Sequence, residues 1–173
     1  MATTTMGSTR DVALNLGLLV LRTGAGLALA THGYPKLFGG EGKQPHRIAS
    51  KLLGKNFPAT FEHGGTERFG QGLEQMGVPY PRVAAHLTGL TEFGGGLALA
   101  FGLGTRLVTP AIVFNMCVAI GKAHWSNGFH GQGGFEMPSL FAVMAAALCL
   151  TGPGDFSLDA LIDTQDVLPF PLS

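Results

Sequence analysis

The chain has 173 residues, one domain's length, with 11 basic and 11 acidic residues and a formal net charge of zero. No bulk field draws it to nucleic acid, so no nucleic-acid partner is expected. Charged residues are 13% of the chain against roughly 25% in ordinary soluble domains, which argues against a water-exposed globule.

Glycine supplies 27 residues without a collagen period. Together with four long apolar stretches this points to an integral membrane protein, where small residues let helices approach closely. Cys117 and Cys149 both lie inside apolar runs and are expected to be packing residues rather than a disulfide or a zinc site.

In chain order, the apolar runs cover 12–31, 83–103, 107–123 and 135–151. Runs of about 17 to 25 residues match the hydrocarbon thickness, so these are read as four transmembrane helices. Arg22 interrupts the first run, which argues against a cleaved signal peptide, whose apolar region is short and uncharged. Pro138 falls in the first turn of the fourth run, where a missing N–H is harmless. "GTR" at 104–106 is read as a tight turn that makes the second and third helices an antiparallel hairpin, and 122–134 as a longer loop.

About fifty residues separate the first two runs. The polar stretch 41–64 reads as an irregular insertion with a short amphipathic turn at Ile48, Leu52 and Leu53. A short helix is expected from near Thr66 to Gly77, with Phe69, Leu73 and Met76 on one face. The expected fold class is therefore all-α: residues 1–173 form one membrane domain, a four-helix bundle with a long polar loop between its first two helices.

Two charges stand inside these runs. Arg22 lies ten residues before His32 and Glu92 nine residues after Val83, which places both roughly 15 Å deep if the runs end where their polar residues begin. Intramembrane charges face the bundle interior and pair, so Arg22 is expected to meet Glu92, with Asn115 completing a buried polar network. Such a pair fixes helix register at minimum, or forms part of a proton or solute path.

A second group gathers at one end of the bundle: His32, His86, His124, Lys36, Lys122 and Glu136, accompanied by Tyr34, Phe38, Tyr80, Trp125 and Phe129. The aromatics are expected as an interfacial belt. His32, Lys36, His124 and Glu136 form a candidate quinone or ligand site, because a quinone head group takes hydrogen bonds to its carbonyl oxygens between flat apolar walls. No H-x₃-H or H-E-x-x-H pair supports a metal site, and none is assigned.

The segments "LRTGAGLALATHGYPKLFGG", "MGVPYP", "LTEFGGGLALAFGLGTRL", "KAHWSNGF", "GGFEMPSL" and "LTGPGDFSLDAL", in this order over nearly the whole chain, resemble the DoxX family of small bacterial four-helix membrane proteins. The 41–64 insertion departs from the compact family pattern. The resemblance implies a protein of the bacterial inner membrane with a redox association, since relatives include a subunit of a thiosulfate:quinone oxidoreductase and membrane partners of thiol-redox complexes. The chain carries no dinucleotide fingerprint, haem-attachment motif or iron–sulfur cysteine cluster. Any electron-transfer role would therefore use a diffusible quinone or a redox group on an oxidoreductase partner. Three roles fit these residues: a quinone-interacting redox subunit, a non-catalytic anchor or assembly subunit in a homo- or hetero-oligomer, and a small proton or solute path through Arg22 and Glu92. Lys36, Lys43, Arg47, Lys51, Lys55, Arg68, Arg82 and Lys122 crowd the loop side, against Arg10 and Arg106 on the side of the termini. The acidic tail residues Asp155, Asp159, Asp163 and Asp166 also lie on the side of the termini. The positive-inside rule then places the loops in the cytoplasm and both termini outside.

Overall fold

In the computed structural model, which describes residues 3–162 and their side chains from Asp11 onward, the first apolar run does not stop at Thr31. The Arg10 side chain, Asp163 and Asp166 lie outside the described residues. Helix α1 covers Thr3–Phe38. Its polar residues His32 and Lys36 are one turn apart on one face and find partners within the protein, so they continue the helix instead of ending it. Pro35 sits inside α1 and costs it one N–H. The Pro35 carbonyl accepts from Gly39 N at 3.0 Å and Gly65 N at 2.8 Å, tying the end of α1 to the glycines on both sides of the insertion.

The insertion is folded. It contains α2 (Arg47–Leu52) and α3 (Phe57–Glu62), and α4 (Thr66–Gln75) comes directly after it. Helix α3 corrects the reading of 41–64 as largely irregular: Phe57 and Phe61, one turn apart, are buried. Tyr34 of α1 lies stacked on Phe57 at 6.1 Å between ring centroids and 4.9 Å from Phe61, so the insertion is pinned to the end of α1 by aromatic contacts.

Helix α5 spans Pro81–Phe101 and α6 Thr105–Ala119, joined by a tight turn with Gly102 and Gly104 both left-handed. The chain then continues as a π-helical turn over Ile120–His124 and a 3₁₀ turn over Trp125–Asn127. The loop expected from Lys122 therefore begins only at Gly128. Helix α7 covers Glu136–Thr151, and the short α8 covers Leu158–Leu161. No strand occurs among the described residues.

Helix α1 runs antiparallel along α5, α5 packs on α6, α6 on α7, and α7 on α1. Leu29, Leu99, Ile112 and Leu148, one from each long helix, are fully buried at the centre. The α1–α5 contact is set by glycine. A Cβ on Gly26 would lie 2.6 Å from Ala100 N, and one on Gly96 2.8 Å from Ala30 N, so backbone meets backbone. Lipid tails are as apolar as leucine, so inside a bilayer such close packing and buried polar contacts, more than apolar transfer, hold helices together. Cys117 is exposed on α6, which corrects its reading as a packing residue.

Candidate functional site

The distribution of side chains is inverted relative to a soluble protein. Val20, Phe114, Val143 and Leu150 on α1, α6 and α7 are all about two-thirds exposed or more, while Arg22 is 2% and Glu92 4% exposed. Water would penalise both choices; a hydrocarbon surround favours the first and forces the second to find partners. Residues 11–38 and 105–127 are each long and apolar enough to cross a membrane.

Glu92 finds its partner in Lys36. Lys36 Nζ donates to both carboxylate oxygens at 2.5 Å. Asn115 Nδ2 donates to Glu92 Oε1 at 3.4 Å, and Thr88 Oγ1 donates to Asn115 Oδ1 at 2.9 Å. The network thus links α1, α5 and α6. A Cβ on Gly33 would stand 2.8 Å from the Glu92 backbone carbonyl carbon, and that close approach lets a lysine one turn further on reach the carboxylate.

Arg22 is not part of this network, which corrects the expected Arg22–Glu92 pair. Its Nη1 donates to Ala100 O at 2.8 Å and its Nη2 to Phe156 O. The physical reason is register. Because α1 extends to Phe38, Arg22 lies level with Ala100, eight residues along α5 from Glu92, or roughly 12 Å away along the axis. Asp159, close enough to act electrostatically on Arg22, caps the start of α6 by accepting from Gly104 N at 2.6 Å and Thr105 N at 2.9 Å. Its own N–H donates to Gly102 O at 2.8 Å. Gly102 has φ +65°, and a Cβ there would meet Arg22 Nη1 at 2.7 Å and Ser157 Cβ at 2.6 Å, so only glycine fits. Asn15 completes the closure by donating to Asp155 Oδ2 at 2.6 Å. The segment after α7 is therefore folded back over the end of the helices and latched to Arg22.

Lys36 also lines a cavity of 520 Å³. Thr31, His32, Pro35 and Lys36 of α1 line it, the insertion supplies Leu53, Phe57, Thr60, His63 and Gly64, and α4 supplies Arg68, Phe69 and Gly72. Lys36 Nζ lies 5.0 Å from the Phe69 ring centroid, a cation–π contact. His32 packs edge-on against Phe141 at 5.8 Å and is within electrostatic reach of Glu92 and Lys36. His63 Nδ1 is engaged with Ala59 O at 2.7 Å. The lining offers nitrogen donors and aromatic faces, with no carboxylate among the described residues.

Of the four residues expected to share a ligand site, the cavity brings together His32 and Lys36. His124 sits in the π-helical turn with its Nδ1 2.7 Å from Gly133 O, and Glu136 pairs with the exposed His130 at 2.7 Å. Both are used in holding the 128–135 loop. His63, Arg68, Phe57 and Phe69 were missing from the expected site. The one-turn spacing of Phe57 and Phe61 was the available signal for the wall; nothing local marks His63 or Arg68. Among the described residues no group of three or more His, Cys, Asp or Glu side chains is placed to hold a metal ion.

Apolar helices with outward-facing side chains, glycine-lined contacts and a charge pair beside a cavity define a helical membrane protein with a polar interior site. A family model for DoxX matches residues 17–125, more than half of the chain, and the protein belongs to the DoxX family of membrane proteins. It is 31% identical over 105 residues to the inner membrane protein YqjF of Escherichia coli (strain K12), a match covering 60% of this chain and 76% of that protein. No solved structure matches. The family match includes Arg22, His32, Lys36, Glu92 and Asn115 and ends before Glu136 and the segment latched to Arg22.

Proposed function

We propose that the chain is a multi-pass inner-membrane protein that crosses the bilayer four times, and that it serves as a redox-associated subunit binding a quinone head group in the cavity beside Lys36. Helix α5 has 21 residues and α7 has 16, or about 31 and 24 Å of helix, enough to cross a core of about 30 Å with local thinning at α7. The similarity to a protein named for the inner membrane supports the location.

The observation that carries the quinone reading is the cavity's composition. Lys36 and Arg68 are cationic donors, His32 offers a ring N–H, and Phe57 and Phe69 supply flat walls. Quinone carbonyl oxygens accept hydrogen bonds, and their negative charge grows on reduction, so cationic donors favour the reduced forms most. The chain holds no dinucleotide, haem or iron–sulfur motif, so electrons come from an oxidoreductase partner. Lys36 lines the cavity while held by Glu92.

Equilibrium binding of a short-chain ubiquinone to the reconstituted protein tests this. Saturable binding is expected, weakened roughly tenfold or more by His32→Ala, as loss of a hydrogen bond to a charged or developing-charge group implies, and unchanged by Glu136→Gln. Absence of saturable binding would reject the reading and leave the anchoring role as the better account.

A further inference from the structure

From Lys43 to Asn56 the chain carries Lys43, Arg47, Lys51 and Lys55 and no acidic residue. All four cations are exposed. Helix α2 places Ile48 and Leu52 one turn apart on a single face, 62% and 78% exposed. Arg47 and Lys51 are likewise one turn apart, on the adjoining face. The helix start is fixed by His46, whose Nδ1 accepts from Ile48 N at 3.3 Å. Large apolar side chains held outward between cations form the pattern of a helix lying in a membrane interface.

Position agrees with pattern. The arm leaves α1 just after Phe38, the last residue of an apolar segment long enough to span the bilayer, so it starts at the membrane surface. Its inner side is anchored, because Leu53 lines the cavity and Phe57 is buried under Tyr34. Six residues of helix would bind a surface poorly alone; tethered at both ends, they meet it at high effective concentration.

We propose that residues 43–55 form an interfacial arm that docks on anionic phospholipid, with Ile48 and Leu52 among the upper acyl chains and the four cations on headgroup phosphates. Docking places the Leu53 wall of the cavity at the headgroup boundary, where an amphiphile would enter sideways from the bilayer. The arm's lipid contact stands whether or not the cavity takes a quinone.

The test uses full-length protein with Leu52→Trp in a Trp125→Phe background, reconstituted in vesicles brominated high on the acyl chain. Vesicles of phosphatidylcholine alone are compared with a phosphatidylglycerol mixture. Strong quenching is expected in the mixture and weak quenching in phosphatidylcholine, while Glu74→Trp in the same Trp125→Phe background, at an exposed position of α4, is quenched in neither. Each cation removed lowers the docked-to-free ratio about fivefold, so Arg47→Gln/Lys51→Gln/Lys55→Gln should abolish the difference. If the triple variant does not fold, Arg47→Gln or Lys51→Gln alone should reduce the difference partly, and no reduction in either counts against the arm. Equal quenching in both lipids, or none in either, would overturn the proposal.

Discussion

Lys36 and Glu92 join α1 to α5 through a charge pair with Nζ 2.5 Å from each carboxylate oxygen, the Glu92 side chain 5% exposed and the Lys36 side chain 26% exposed. The asymmetry matters. The acid is buried in the protein interior, while the base also lines the cavity.

Removing one partner should cost more than removing both. Lys36→Met strands a buried carboxylate and is expected to cost about 3–5 kcal/mol, with Lys36→Met/Glu92→Gln recovering much of it. Thermal melts of the detergent-purified protein read this as a coupling energy. By contrast, Arg22→Leu and Glu92→Gln should add to within about 0.5 kcal/mol, because they share no partner. A strong coupling between Arg22 and Glu92 would contradict the register that sets Arg22 against Ala100.

Arg22 holds the segment after α7 in place through Phe156 O and the neighbourhood of Asp159. Arg22→Leu removes the donor to the Phe156 carbonyl and leaves the buried Ala100 carbonyl only the long contact from Thr23 Oγ1 at 3.5 Å, a loss of about 1–3 kcal/mol at Ala100. Limited proteolysis should then cut within 152–162 at protease levels that leave the unaltered protein intact. Unchanged resistance would show that the latch does not depend on Arg22.

Two neighbouring glycines should respond in opposite ways. Gly26→Ala places a Cβ against the backbone of Gly96 and Ala100, and the α1–α5 contact must open. Gly24→Ala has nothing within 4 Å of its new Cβ and should stabilise the helix by roughly 0.5–1 kcal/mol. Detergent melting curves for the pair separate a packing role from a general preference for glycine.

The long helices were legible because apolar runs of spanning length leave few alternatives, and α4 was legible because Gly77 stops a clear amphipathic pattern. The features that were not legible depend on one boundary. His32 and Pro35 look like the end of a span, yet His32 and Lys36 are spaced one turn apart, and their partners lie on helices distant in sequence. Moving the helix end to Phe38 shifts the α1–α5 register and hands Glu92 from Arg22 to Lys36. The main-chain carbonyls that receive Arg22 leave no trace in composition. The cavity depends on α3 and α4 folding back on α1, which no local pattern in 41–64 announces beyond the Phe57–Phe61 spacing.

The Lys and Arg bias of the loop side predicts that this side faces the cytoplasm. In a Cys117→Ser/Cys149→Ser background, Lys51→Cys should resist a membrane-impermeant thiol reagent on intact cells and react after permeabilisation. Labelling of intact cells would invert the topology and place the cavity on the outer face.

Photolabelling the reconstituted protein with an azido-quinone, followed by peptide mapping, tests most directly whether the cavity beside Lys36 binds a quinone head group. Label is expected on the segments 31–36 and 57–72, displaced by unlabelled quinone and lost in His32→Ala. Displaceable label confined to 122–136, or label that unlabelled quinone does not displace, would contradict it.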